Sequence, residues 1–127
     1  MLFRSDDQKE AAAASEAARL FDEKNYSEAS QRLEEYVHQK DASAEALHLY
    51  ALSEAQLGHL DKAIQFLQKS LEKDPNDLNK LYHLSLLYVE KGETAKADAL
   101  IEKGLNEDPQ NDQFLKLKQY IENTQRR

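Results

Sequence analysis

Apolar and polar positions along the chain alternate with helical spacing in pairs of short segments. Between residues 44 and 57 the apolar positions recur every three to four residues, and a second set follows from 60 to 71. Gly58 separates the two sets, and Pro75 follows the second. Because glycine is common just past a helix end and proline cannot continue a helix interior, this stretch is predicted to form two helices.

The same pattern returns with a period of 34 residues. Gly58 recurs as Gly92 and Pro75 as Pro109 at this interval. Alanine recurs at the same interval, at Ala29, Ala63 and Ala97. The period divides the chain into repeats at 10–43, 44–77 and 78–111, each predicted to be one helical hairpin.

Residues 112–124 carry an apolar stripe on an otherwise polar segment, which is typical of a helix that caps the last hairpin. We therefore predict an all-α fold, an α-solenoid of about seven antiparallel helices in a single domain over 10–124. Residues 1–9 are expected to be irregular or to begin the first helix. Residues 125–127 are expected to form a frayed tail.

The composition of the chain argues against several classes of function. The 127 residues include 17 basic and 24 acidic side chains, a formal charge of −7, and this balance argues against nucleic-acid binding. The absence of cysteine excludes disulfides and thiolate metal sites. The sequence contains no apolar stretch long enough for a membrane span or a signal peptide, so a cytoplasmic location is expected unless an upstream targeting segment was removed.

The sequence contains few residue patterns that are typical of catalytic sites. The four histidines do not form the His-Glu-x-x-His pattern of zinc enzymes, and no phosphate-binding glycine loop or nucleophile elbow occurs. A folded site that joins His48 and His83 is conceivable, but surface or groove histidines are favoured. We expect no enzyme activity, no cofactor and no metal.

The repeat columns resemble tetratricopeptide repeats (TPRs), 34-residue helix–turn–helix units. Such units typically have a small residue at position 8, alanine at position 20 and proline at position 32. Ala51, Ala63 and Pro75 match these positions in the second repeat, whereas Glu54 replaces the usual tyrosine at position 11. The structural repeat positions are Ala29, Ala63, Ala97, Gly58, Gly92, Pro75 and Pro109. The resemblance implies an α-solenoid that binds proteins.

The resemblance also implies that the first helix of each hairpin lines a concave groove. The repeat register assigns to this groove Phe21, His48, Leu52, Tyr82, Leu86, Val89, Lys116 and Tyr120, which we call the predicted groove residues. Glu45, Asn79 and Glu90 are assigned to its rim. An exposed, contiguous apolar patch usually marks an interaction site. For Leu52 and Leu86, the alternative of core packing between repeats stays open.

The leading functional hypothesis is a protein–protein interaction adaptor or scaffold that binds an apolar or aromatic segment of a partner. The acidic surface favours a partner with basic flanks. Two alternatives stay open: self-assembly into homo-oligomers through the repeat ends, and a TPR chaperone of secreted proteins. The family's basic clamp for C-terminal carboxylates is not expected here, because the matching positions hold Ala14, Ala18, Asn79 and His83.

Overall fold

The structure, a computed structural model, describes residues 5–125. These residues form seven α-helices and no strand: α1 (Asp6–Asp22), α2 (Tyr26–Val37), α3 (Ala44–Gln56), α4 (Leu60–Lys73), α5 (Leu78–Lys91), α6 (Thr94–Glu107) and α7 (Asp112–Gln125). The predicted all-α fold class of helical hairpins is confirmed.

The chain ends bear on two of the predictions. Helix α1 begins at Asp6, inside the segment expected to be irregular or to start the first helix. Gln125, assigned by sequence to the tail, is the last residue of α7, and its Nε2 donates to Thr94 Oγ1 at 3.3 Å. The predictions for residues 1–4 and 126–127 lie outside the described residues.

Local capping explains where several helices begin. The Ser5 hydroxyl accepts from the Gln8 backbone N–H, and the Gln8 side chain accepts from the Ser5 N–H, which forms a capping box. Ser43 caps α3, and Asp77 caps α5 through the Lys80 N–H. These side chains satisfy backbone donors that the first turn of a helix leaves unpaired.

The chain divides into two compact units by its internal contacts, the first ending at Lys73 and the second starting at Asp74. In the first unit α1 packs on α2, α2 on α3, α3 on α4, and α1 on α3. The core of this unit includes large side chains that are almost completely buried, namely Leu33, Leu47, Tyr50 and Leu67. In the second unit, α5, α6 and α7 pack on one another around Leu81, Ile101, Phe114 and Ile121.

The structural repeat positions hold buried alanines, left-handed glycines and exposed prolines. Ala29, Ala63 and Ala97 have no exposed surface, and a buried small residue lets two helices approach closely. Gly58 and Gly92 both adopt φ +87°, the left-handed conformation that ends a helix. Pro75 and Pro109 lie outside the helices in the connections after α4 and α6, and both are exposed.

Candidate functional site

The predicted groove residues of the second unit lie on α5 and α7. Tyr82, Leu86 and Val89 follow one another at helical spacing along α5, and all three are half-buried. The helix that carries them begins after the Asp77 cap and ends at Gly92. The row therefore lies on a well-defined helix and keeps part of its apolar surface exposed.

The ring of Tyr82 is anchored on α7. It meets the Phe114 ring edge-on, with 5.8 Å between the ring centroids and an interplanar angle of 90°. Phe114 is completely buried, and it lies directly over Gly104 of α6, where an added Cβ would stand 2.5 Å from the ring Cζ. The glycine thus lets α7 approach α6, and the buried phenylalanine of α7 in turn positions Tyr82.

Two predicted groove residues on α7 are exposed. Tyr120 has 56% of its surface exposed, the largest value among the exposed large hydrophobic residues of the described chain. The Lys116 ammonium lies 2.8 Å from Asp112 Oδ2, and the hydrogen bond to this carboxylate raises the pKa of Lys116. An exposed tyrosine offers a large apolar area and a polar tip, which is why tyrosine is enriched at protein interfaces.

The first unit contributes His48 and Leu52 on α3 and Phe21 on α1. All three are half-buried. Phe21 meets the Tyr26 ring edge-on, with 5.0 Å between the ring centroids. Leu52 and Leu86 are therefore neither fully core nor fully exposed. Their assignment to a groove stays a prediction.

The residues assigned to the rim, Glu45, Asn79 and Glu90, are all exposed. Glu45 lies in the first turn of α3, Asn79 in the first turn of α5, and Glu90 near the end of α5. Their role in orienting a partner also stays a prediction.

Sequence reasoning missed a buried polar cluster around Glu54, the residue that replaces tyrosine in the second repeat. Glu54 is only 4% exposed, and the Ser30 hydroxyl donates to its Oε1 at 2.6 Å. His59 Nδ1 hydrogen-bonds its other carboxylate oxygen, and Lys62 Nζ lies 3.6 Å from Oε1. Burial alone would raise the pKa of Glu54, but these partners outweigh it and lower the pKa.

A second polar group connects α2 and α3. The buried Tyr50 donates its hydroxyl proton to Glu34 at 2.6 Å, and His38 Nε2 lies 2.9 Å from the other oxygen of the same carboxylate. The hydrogen bond from Tyr50 and then that from His38 lower the pKa of Glu34. For Glu54, the signal in the sequence was the 34-residue register, which places this charged residue at a repeat position that usually holds tyrosine.

Within residues 5–125, no three histidine, aspartate or glutamate side chains are arranged to hold a metal ion. No helix in this range is both long and apolar enough to cross a membrane.

Helical hairpins that recur every 34 residues, each with a buried alanine at the same repeat position, define the class of helical repeat proteins. The chain belongs to the tetratricopeptide repeat family, whose model matches residues 20–86 and again residues 54–120. Its predicted TPR identity is confirmed, and repeats of this family are typical of protein-interaction modules.

Similar proteins include the rhomboid protease GluP of Bacillus subtilis, which is 39% identical over 83 residues. This match covers 65% of the chain, whereas the chain spans only 16% of the length of GluP.

Solved structures agree on the fold. The structure of MamA from residue 41 onward, from Desulfovibrio magneticus RS-1, is 26% identical with a TM-score of 0.74, and the match covers 84% of this chain and 60% of that one. The type III secretion translocator chaperone SycD of Yersinia enterocolitica has a TM-score of 0.73 at 16% identity, with 94% of this chain and 89% of SycD covered. At that identity, the likeness to SycD shows the fold alone.

Proposed function

We propose that this protein is an adaptor, which binds an apolar or aromatic segment of a partner protein through the predicted groove residues. The observation that carries the proposal is the row of Tyr82, Leu86 and Val89, which stays half-buried on α5. Other apolar side chains of this helix are buried, namely Leu81, Leu84, Leu87 and Tyr88. Tyr120 on α7 adds an exposed ring to the same unit.

The expected driving force is burial of this apolar surface. Each Å² of apolar surface removed from water contributes roughly 25 cal/mol, and buried tyrosines are frequent hot spots of protein interfaces. The Tyr82 ring is already held by its edge contact with Phe114, so it loses little conformational freedom when a partner packs against it.

Charge suits a partner whose apolar segment has basic flanks. The chain has a formal charge of −7, and the exposed carboxylates of Glu45 and Glu90 lie on the same helices as the predicted groove residues. Opposite charges at an interface rim mainly accelerate association and fix orientation.

The test compares capture of partners by the wild-type protein and by groove variants. Leu52→Ala with Tyr82→Ala should abolish binding of the partner identified by affinity capture and mass spectrometry. Because Tyr82 also packs on Phe114, Tyr120→Ala serves as a second variant at a more exposed ring, and Tyr36→Ala as a control outside the predicted groove residues. Circular dichroism checks that each variant keeps its helical signal. Undiminished binding by both groove variants would show that the partner binds elsewhere.

The proposal extends to a cytoplasmic, non-catalytic protein. The protease activity that the name of GluP states is not part of it, since the chain spans 16% of that protein. Self-assembly through the repeat ends and a chaperone role remain the alternatives. Light scattering over a concentration series separates self-assembly from the adaptor role, because only self-assembly raises the mean mass with concentration.

A further inference from the structure

A cavity of about 330 Å³ lies in the first unit, away from the predicted groove residues. The end of α2, the connection from α2 to α3, and the last turns of α4 form its walls. Val37 and Leu47, both almost completely buried, supply aliphatic wall, and none of the predicted groove residues lines it.

Basic side chains dominate the polar part of this cavity. Lys40, Lys69 and Lys73 all line it and all are exposed, with His38 beside them and Glu72 as the single carboxylate in the lining. The Lys69 ammonium lies 4.7 Å from the centroid of the Phe66 ring, a cation–π contact that favours one position of this flexible side chain.

In the described part of the chain, these three lysines line one cavity without a carboxylate partner, although half of the twelve lysines in the chain have one. Within residues 5–125, Lys40, Lys69 and Lys73 form no salt bridge, whereas six other lysines pair with carboxylates: Lys62, Lys80, Lys91, Lys96, Lys116 and Lys118. An acidic protein has many carboxylates to pair with its lysines, so three unpaired ammonium groups around one cavity leave a local positive field.

We propose that this cavity is a second interaction site, which binds an acidic segment of a partner protein. Glutamate or aspartate carboxylates of the segment would pair with Lys40, Lys69 and Lys73, and the methylene groups of its side chains would pack on the aliphatic wall. Exposed, flexible lysines suit a segment with several carboxylates better than a single compact anion. The inference rests on the protein-binding role of the chain but not on the groove.

The experiment uses the 127-residue protein labelled with ¹⁵N and three titrants at equal ionic strength. These are a ten-residue peptide with four glutamates, the same peptide with glutamine at those positions, and inorganic phosphate. The glutamate peptide is expected to shift the backbone amides of residues 37–42 and 69–73, and the glutamine peptide is not.

The double variant Lys69→Gln/Lys73→Gln should weaken binding of the glutamate peptide about tenfold, through the loss of two charge pairs. The control Lys103→Gln/Lys118→Gln changes the net charge equally but lies in the second unit, and it should change the affinity less than about twofold.

Three outcomes would overturn the inference. Equal loss in both double variants would assign the binding to net charge alone. Saturation of the same amides by phosphate at the same concentration would make the cavity a small-anion site. If the amide signals of residues 37–42 and 69–73 do not shift, the cavity does not bind the acidic segment. Because none of these measurements involves Tyr82 or Tyr120, they leave the groove proposal to its own test.

Discussion

At the scale of single residues, the turn inside each hairpin shows how backbone conformation limits the choice of side chain. Gly58 and Gly92 both adopt φ +87°, and an added Cβ would meet nothing within 4 Å at either position. Lys24 occupies the equivalent place in the first hairpin, 34 residues before Gly58, and it also has a positive φ of 63°. The first repeat therefore keeps the turn geometry with a residue that disfavours it.

We predict that Lys24→Gly stabilises the protein by about 0.5–1 kcal/mol, since the relief of left-handed strain outweighs the greater flexibility of glycine in the unfolded chain. The reverse change, Gly58→Ala, should destabilise it by about 1 kcal/mol. Urea unfolding followed by circular dichroism measures both. A loss of stability in Lys24→Gly would mean that the lysine side chain contributes more than the backbone strain costs.

Glu54 presents the opposite situation, a charged residue at a column that usually holds an aromatic one. Its carboxylate is buried, and it is retained because Ser30, His59 and Lys62 satisfy it from other elements. A buried carboxylate without such partners would protonate or destabilise the fold.

This cluster should make stability depend on pH. Folding lowers the pKa of Glu54 below its ordinary value of 4.5, so its contribution is complete above about pH 4.5 and is lost as the pH falls through the lowered folded value. The melting temperature of the wild type should therefore fall more steeply from pH 5 to pH 3 than that of Glu54→Gln. Glu28→Gln, an exposed site, is the control and should follow the wild-type curve. Parallel curves for wild type and Glu54→Gln would contradict the assignment.

At the scale of the helices, the approach of α7 to α6 depends on one position. Gly104 lies inside α6, where alanine would favour the helix by about 1 kcal/mol, so the glycine is retained for another reason. That reason is the Phe114 ring, three atoms of which would stand 2.5 to 2.8 Å from an added Cβ.

Gly104→Ala is therefore expected to destabilise the protein by about 1–3 kcal/mol despite its better helix propensity. Phe114→Leu removes the ring atoms that the new methyl group would strike, so the double variant should lose less than the sum of the two single changes. Chemical denaturation of the wild type and the three variants gives the free energies of unfolding from which this coupling between positions 104 and 114 is calculated. Additive losses would show that α6 and α7 do not meet at this pair.

The repeat period allowed most of the helices to be predicted, because turn glycines, exposed prolines and buried alanines each obey a local rule. The partners of Glu54 could not be predicted, since Ser30 and His59 come from different elements and no spacing rule connects them. The same holds for Gly104 and Phe114, whose contact needs the three-dimensional crossing of two helices. The helix that carries each predicted groove residue could be predicted from the repeat period, whereas the degree of exposure of Leu52 and Leu86 depends on packing.

At the scale of the whole molecule, the charge of −7 is the property most open to test. A captured apolar segment flanked by lysines should bind more tightly than the same segment flanked by serines at about 20 mM salt. The difference should shrink markedly at about 500 mM, where charges are screened beyond roughly 4–5 Å. Isothermal titration calorimetry measures the dissociation constants of both segments at the two salt concentrations. A difference that is unchanged by salt would indicate that the flanks act by direct packing and not by charge.

The burial of Lys80 has a consequence for following the opening of the second unit. This side chain is 5% exposed, and its ammonium lies 3.3 Å from Asp74 Oδ2 and 3.6 Å from Asp77 Oδ2 at the start of α5. An acetylating reagent reaches an amine only when solvent does, so Lys80 reacts from states in which this end of the helix has opened. The acetylation rate of Lys80, measured by mass spectrometry, thus reports how often the start of α5 opens to solvent.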